Sequence, residues 1–173
     1  MHKHLIAALA AFALSAPAAF AAGAAPTDPQ IAHIAYTAGV IDIDAAKLAV
    51  QKSKDKEVVA FAKDMMRDHE AVNKQATDLL KKLNVKPEDN DTSKSLTSDA
   101  KAELKKLSKL KGAAFDKAYI DNEVAYHKKV NDALQTTLIP AAQNPDLKSL
   151  LETGLKMFQG HEQHAEHVAS MMK

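Results

Sequence analysis

The most informative segment of the sequence is Val58–Leu80, VVAFAKDMMRDHEAVNKQATDLL. Its apolar residues recur in alternating steps of four and three, which predicts the buried face of a helix in a bundle. His69 lies on the same face, between Met65 and Val72, where the pattern predicts a hydrophobic residue. This helix is therefore expected to carry a histidine into the protein core. The apolar positions are Val58, Ala62, Met65, Val72, Ala76 and Leu79.

A helix near the C-terminal end repeats this arrangement. Met65–Glu70, MMRDHE, resembles Met157–Glu162, MFQGHE, with the histidine at the same place. His161 shares the apolar face of its own helix with residues such as Phe158 and Val168. Two helices are thus predicted to place a histidine in the core.

The beginning of the chain has the features of an export signal. A short polar start containing Lys3 leads into the apolar run Leu5–Leu14, and Ala19-Phe20-Ala21 fits an A-x-A cleavage site. The apolar run is too short for a membrane span in the mature chain. We therefore expect residues 1–21 to be a signal peptide, residues 22–27 to be disordered and residues 28–173 to form one domain in the periplasm or outside the cell.

Net charge, cysteine count and residue usage limit the fold class, the metal ligands and the partners that this chain can have. Without Lys3, 22 of the 23 Lys and Arg residues remain against 22 Asp and Glu, so the mature chain is formally neutral. Neutrality argues against nucleic acid as the partner, because phosphate binding needs a basic excess. The chain has no cysteine, so it contains no acylated or disulfide-bonded cysteine and no thiolate metal ligand. Few glycines, no tryptophan and much Ala, Leu, Lys and Glu indicate an all-α fold.

Caps and apolar periodicity predict an up-down-up-down four-helix bundle with a short extra helix between helices 2 and 3. Helix 1 starts at Asp28-Pro29, and Ser53 caps helix 2. A polar connector and the extra helix follow, and Asn144-Pro145 starts helix 4. The predicted connector is Asn84–Ser95, the extra helix runs from Ser98 to Leu110, and helix 3 runs from Ala113 to Thr137.

Polar residues on the buried faces are expected to meet in one layer. Counting from the turns at about 1.5 Å per residue gives them similar heights in the bundle. Buried polar groups cost several kcal/mol unless they have partners. A divalent transition metal such as zinc, copper, iron or nickel is one such partner for imidazole and carboxylate. The candidate ligands are His69, His127 and His161, with Asp42 or Glu123 as a fourth and His164 at the border of the face.

Two alternatives to a metal-binding protein for storage, buffering or sensing remain open. In one, the carboxylates pair with the imidazoles without metal, in an envelope stress or interaction protein. The other is a redox enzyme, which is less expected: a di-iron bundle needs Glu-x-x-His pairs, whereas this chain has Glu123 and His127 four residues apart. The lysines of the extra helix indicate a solvated face more than a weak contact with envelope lipid or an acidic protein.

Several residues of the predicted helices match the pattern of a known bacterial family. They include Phe61, Met65 and Asp68-His69 in helix 2, Phe115-Asp116-x-x-Tyr119 with His127 in helix 3, and His161 in helix 4. Over about Asp28–Met172 the chain is similar to the exported family called domain of unknown function 4142, whose members often carry an outer-membrane label. The resemblance implies a ferritin-like four-helix bundle and an envelope location, and it implies no settled activity. The family usually has Glu where this chain has Asp42, and the shorter acid reaches less far.

Overall fold

The computed structural model describes residues 25–172, and the predicted signal peptide lies outside this range. Four long helices form a bundle, and a fifth packs along the first of them. None of the described helices is both long and apolar enough to cross a membrane. The elements are α1 (Asp28–Lys52), α2 (Lys56–Lys82), α3 (Asp91–Lys109), α4 (Gly112–Ala133), a π-helical segment (Leu134–Leu138), the single turn α5 (Ile139–Ala141) and α6 (Pro145–Met171).

The start of α2 differs from the prediction. Ser53 ends α1, and its hydroxyl accepts a hydrogen bond from the Asp55 backbone N–H at 3.1 Å. Asp55 is the cap of α2, because its carboxylate accepts from the backbone N–H groups of Glu57 at 2.9 Å and Val58 at 3.1 Å. The prediction that Ser53 caps this helix is therefore wrong. Asp55 is placed to use two N–H groups that have no partner inside the helix.

Asp28 is the first residue of α1, preceded by Thr27 as the cap. Its carboxylate accepts hydrogen bonds from the backbone N–H groups of Gln143 at 2.9 Å and Asn144 at 2.8 Å. The predicted role of Asp28 as a cap is thus replaced by a link between the start of α1 and the start of α6. This link fixes the two helix starts at the same end of the bundle.

The extra helix, α3, is longer than predicted. It begins at Asp91, seven residues before the predicted start at Ser98, and Asn90 accepts a hydrogen bond from the Ser93 backbone N–H at 3.0 Å. Ser93 is buried with 1% of its surface exposed, which anchors this first turn against the bundle. A helix of 19 residues spans about 28 Å at 1.5 Å per residue, which is most of the length of the bundle helices of 22 to 27 residues.

The length of α3 changes the direction of one helix. Lys82, at the end of α2, pairs with Asp146 at the start of α6 at 3.1 Å. Gln143, which follows α4 and α5, donates its backbone N–H to Asp28 at the start of α1. The ends of α2 and α4 therefore lie on the same side of the molecule, next to the starts of α1 and α6. The four-helix bundle with an extra helix is confirmed, but the order of its four long helices is up-down-down-up, not up-down-up-down. The reason is that α3 crosses the whole bundle, as the single long connection of ferritin-like folds does.

The apolar core consists of two clusters, separated along every long helix by polar residues. One cluster contains Phe61, Met65 and Phe115, and the other contains Ile31 and Leu151. Both are well buried, and together they hold the helices in place on either side of a polar middle layer. The buried polar residues of that layer are Asp42, His69, Glu123, His127 and His161.

Candidate metal centre

The structure brings the five buried candidates into this one layer, with residues from all four long helices. Each is between 1% and 7% exposed. The same apolar periodicity that builds the helices places these side chains inward, because they occupy positions of the buried face. Two groups of potential ligand atoms result, each with all its atoms within 4.8 Å of one another: His69, His127 and His161 in one, and Asp42, Glu123 and His127 in the other.

Asp42 joins two of the histidines. Its Oδ2 atom lies 3.2 Å from His69 Nε2 and 3.3 Å from His127 Nε2. Neither contact is a hydrogen bond donated by a ring N–H to the carboxylate. Around a tetrahedral ion with bonds of about 2.0 Å, adjacent ligand atoms lie about 3.3 Å apart. The spacing of these three atoms therefore fits an ion held between them.

The other ring nitrogen of His127 is already engaged. Its Nδ1 lies 3.0 Å from the backbone carbonyl oxygen of Glu123 and, because a carbonyl only accepts, Nδ1 carries the proton. In the neutral ring, Nε2 then keeps its lone pair and faces Asp42. The Glu123 carboxylate lies 3.7 Å from the same Nδ1. Glu123 is therefore placed to orient His127 more directly than to share its metal-facing nitrogen.

His161 is oriented by a residue of another helix. Its Nε2 lies 3.1 Å from Asp68 Oδ2. Asp68 is held in turn by Arg67, with Nε to Oδ1 at 2.7 Å and Nη2 to Oδ2 at 3.0 Å. Since Nε2–H donates to the carboxylate, Nδ1 is left with a lone pair in the interior. A carboxylate behind a histidine is the usual support of a metal-binding imidazole.

Asp68 and Arg67 are not among the site residues predicted from the sequence. Asp68 adjoins His69 but leaves the helix about 100° away from it, since each residue turns by that angle. That angle carries it to the next helix of the bundle. The signal in the sequence is an acid beside a core histidine, which alone does not show which ring the acid will reach.

His69 is fixed by stacking. Its ring is parallel to that of Phe158, with centroids 4.6 Å apart and planes 2° apart. Neither of its nitrogens has a hydrogen-bond partner within the described residues. The other buried atoms of this layer without such a partner in that part of the chain are both Asp42 carboxylate oxygens, His127 Nε2, His161 Nδ1 and Glu123 Oε2. Buried polar atoms are rarely left this way, so the layer calls for a common partner.

Burial sets the charge of these groups. It lowers the pKa of His69 to about 3, with help from His127 and His161, and that of His127 to about 4. It raises the pKa of Asp42 to about 8 and that of Glu123 well above its usual range. The imidazoles are therefore neutral at neutral pH, which is the form that binds metal. A cation would offset the desolvation that opposes ionised Asp42.

His164 lies apart from this layer. Its ring packs edge-on against Phe61 at a centroid distance of 5.1 Å, and it belongs to neither group of ligand atoms. His164, predicted at the border of the buried face as a candidate ligand, instead makes an aromatic contact with the apolar core. The hydroxyl of Tyr126 donates to the Ala38 carbonyl at 2.9 Å, which links α4 to α1 beside the site.

Three imidazoles and one carboxylate are a ligand set for zinc, copper, iron or nickel. A ferritin-like di-iron centre uses four carboxylates and two histidines. In the described part of the chain, the groups of potential ligands contain only Asp42 and Glu123 as carboxylates. The arrangement therefore suits the binding of one ion better than di-iron chemistry.

Comparison with known proteins supports the fold and gives the family. The chain is similar to the crystal structure of a "putative secreted protein DUF305" from Streptomyces coelicolor, with a TM-score of 0.62 and 14% identity over 83% of this chain and 87% of that one. At this identity the likeness concerns the fold. No protein with a curated description matches the chain. The family model described as "Domain of unknown function (DUF4142)" matches residues 13–168. The chain therefore belongs to the DUF4142 family, which the residues of its helices already resembled.

Proposed function

We propose that the protein is an exported helical bundle that binds one divalent transition-metal ion for storage, buffering or sensing. The ligands are His69 Nε2, His127 Nε2, His161 Nδ1 and one carboxylate oxygen of Asp42. The observation that carries the proposal is the set of buried atoms in this layer without hydrogen-bond partners in the described residues. They come from all four long helices, and their lone pairs require a cation or a proton.

Two features of the surroundings favour a cation. The imidazoles are neutral at neutral pH, because burial opposes their protonation. The rings of His127 and His161 are each oriented by an acceptor on the side away from the centre, Glu123 and Asp68 respectively. Such support fixes a lone pair in one direction, which is what a metal ligand needs. Export rests on the sequence features of residues 1–21.

Metal analysis of the protein tests this proposal. The full chain is expressed with its signal peptide, purified without an affinity tag, and compared with the His69→Ala/His161→Ala variant by elemental analysis. We expect about one ion per chain in the wild type and a loss of most of it in the variant. The control is His33→Ala/His167→Ala, which removes the same number of histidines outside the layer. Equal metal content in the wild type and the His69→Ala/His161→Ala variant would remove the proposal.

A metal-free network is the second candidate, in an envelope stress or interaction protein. It is favoured by the raised pKa of Asp42, about 8, since a protonated carboxyl can donate a hydrogen bond to one of the two nearby imidazoles. Under this alternative, a chelator leaves the melting temperature unchanged. Under the metal proposal, the chelator lowers it, because an ion that binds only the folded state stabilises that state.

A further inference from the structure

An apolar cavity of about 70 Å³ adjoins the candidate metal centre. It extends from the polar layer toward the end of the bundle where α6 begins. Asp42, His69 and His127 form one end of its wall. The rest of its lining is mainly aliphatic and includes Ala32, Ala76, Leu134, Leu138, Leu147 and Leu151.

The space exists because small residues face each other. Ala32, Ala76 and Gly154, on three different helices, line the cavity and contribute little side-chain volume. The π-helical segment Leu134–Leu138 lines it with its two buried leucines. Protein cores contain few voids larger than a water molecule, and π-helical turns occur often at functional sites. The small lining residues and the π-helical segment therefore indicate that the cavity beside the polar layer has a function.

Its lining decides what it can hold. A buried water needs two to four polar partners, and the aliphatic part of the wall provides none from its side chains. An engineered apolar cavity of about 150 Å³ is known to stay dry and to bind benzene or xenon. A cavity of 70 Å³ is about half that size, so it has room for a xenon atom or a diatomic molecule.

We propose that this cavity binds a small, uncharged, apolar molecule of the size of dioxygen or nitric oxide and holds it against the rings of His69 and His127. Occupancy of the cavity needs no metal, because the aliphatic wall supplies the contacts. The meeting of that molecule with a bound ion rests on the proposed function. The site would thus bring a gas-sized ligand and a metal ion to the same two imidazoles.

Xenon is the probe of the cavity. The full chain, labelled at its methyl groups and kept metal-free with a chelator, is titrated with dissolved xenon and followed by NMR. We expect saturable shifts of the Ala32, Leu134 and Leu151 methyl resonances and of the His69 ring protons. Dissolved dioxygen, which is paramagnetic, should increase the relaxation of the same methyl groups several-fold more than that of methyl groups in the other apolar cluster.

Filling the cavity supplies the matched comparison. Ala76→Leu places a larger side chain in the cavity and should remove at least most of the xenon-induced shift. Ala118→Leu makes the same change beside the other apolar cluster, outside the cavity lining, and should keep it. If Ala76→Leu does not fold, Ala133→Leu fills the cavity from α4. Absence of saturable shifts in the wild type, or equal shifts in the filled variant, overturns the proposal. Because these titrations use metal-free protein, the cavity proposal and the metal proposal fail separately.

Discussion

Asp68 holds the ring of His161, although in the sequence it adjoins His69. Its Oδ2 atom lies 3.1 Å from His161 Nε2, across the contact between α2 and α6. Adjacent residues of one helix thus serve two different histidines of the same layer. Residue 69 provides a ring, and residue 68 orients the ring that faces it from the neighbouring helix.

The Asp68→Asn substitution should weaken metal binding without unfolding the protein. It removes the carboxylate behind His161, and loss of such a support typically costs about 10- to 100-fold in metal affinity. Zinc affinity measured by calorimetry or by competition with a chelating dye checks this. The control is Asp64→Asn, which also loses a contact with Arg67, at 2.6 Å, but has no contact with His161 of the kind that Asp68 makes. Equal affinities in the two variants would show that Asp68 does not position the ring.

Replacing His69 with leucine should stabilise the metal-free protein while abolishing its stabilisation by metal. Both ring nitrogens of His69 are buried without a hydrogen-bond partner in the described residues, and removing such an unsatisfied group is expected to gain about 1–2 kcal/mol. Urea unfolding with and without zinc measures both effects. His167→Leu, at an exposed position, should change the unfolding free energy by less than about 0.5 kcal/mol. A destabilised His69→Leu variant in the absence of metal would mean that the ring has a structural partner.

The stability of the metal-free protein should fall as the pH rises from about 6.5 to 8. Burial raises the pKa of Asp42 from 3.8 to about 8, so its contribution is fully present below pH 3.8 and is lost as the pH rises toward 8. The lowered pKa values of His69 and His127 act in the opposite direction, and their effect is lost as the pH falls below 6.5 toward 3 or 4. Between pH 6.5 and 8, therefore, the raised pKa values of Asp42 and Glu123 determine how stability changes with pH.

Unfolding free energies at pH 6.5 and pH 8, both with chelator present, test that slope. Asp42→Asn has no carboxyl to titrate and should flatten the slope in this window. With zinc in excess, the slope of the wild type should become shallower, because metal binding requires the deprotonated carboxylate and so removes the proton that folded, metal-free Asp42 holds. An identical slope in wild type and Asp42→Asn would show that the buried acid does not control it.

Two glycines should respond to alanine with opposite signs. A Cβ at Gly39 would lie 2.9 Å from the Asn73 Cγ atom, where α1 and α2 are in close contact, so Gly39→Ala should cost about 1–3 kcal/mol. At Gly160, exposed on α6, a Cβ meets no atom within 4 Å in the described structure. Gly160→Ala should therefore gain about 0.5–1 kcal/mol from better helix propensity. Thermal or urea unfolding measures both, and a neutral Gly39→Ala would mean that Asn73 moves away at little cost.

The regular rise of a helix explains why the middle layer could be predicted from the sequence. Each residue advances by a fixed distance, so counting from the turns gives the height of Asp42, His69 and His161 without knowledge of the packing. The direction of a side chain follows from the apolar face on which it lies. The placement of Glu123 and His127 in the same layer depends on their height along the helix and on the direction of their side chains. Both follow from the position of a residue within one helix.

The features that the sequence did not reveal depend on contacts between helices. The start of α3 is polar, and Ser93 becomes a helical, buried residue only through its capping contact with Asn90 and its packing on the bundle. The longer α3 then reverses the expected direction of α4. Asp68 reaches His161 only because α2 and α6 are neighbours. Residue spacing within one helix contains none of this information.

X-ray absorption spectroscopy of the zinc-loaded protein is the sharpest test of the proposed ligand set, since it reports the atoms bound to the ion. We expect four nitrogen or oxygen ligands at about 2.0 Å, with the multiple scattering of three imidazoles, and the loss of one imidazole in His127→Ala. A shell of oxygen atoms without imidazole scattering, unchanged in His127→Ala, would contradict it.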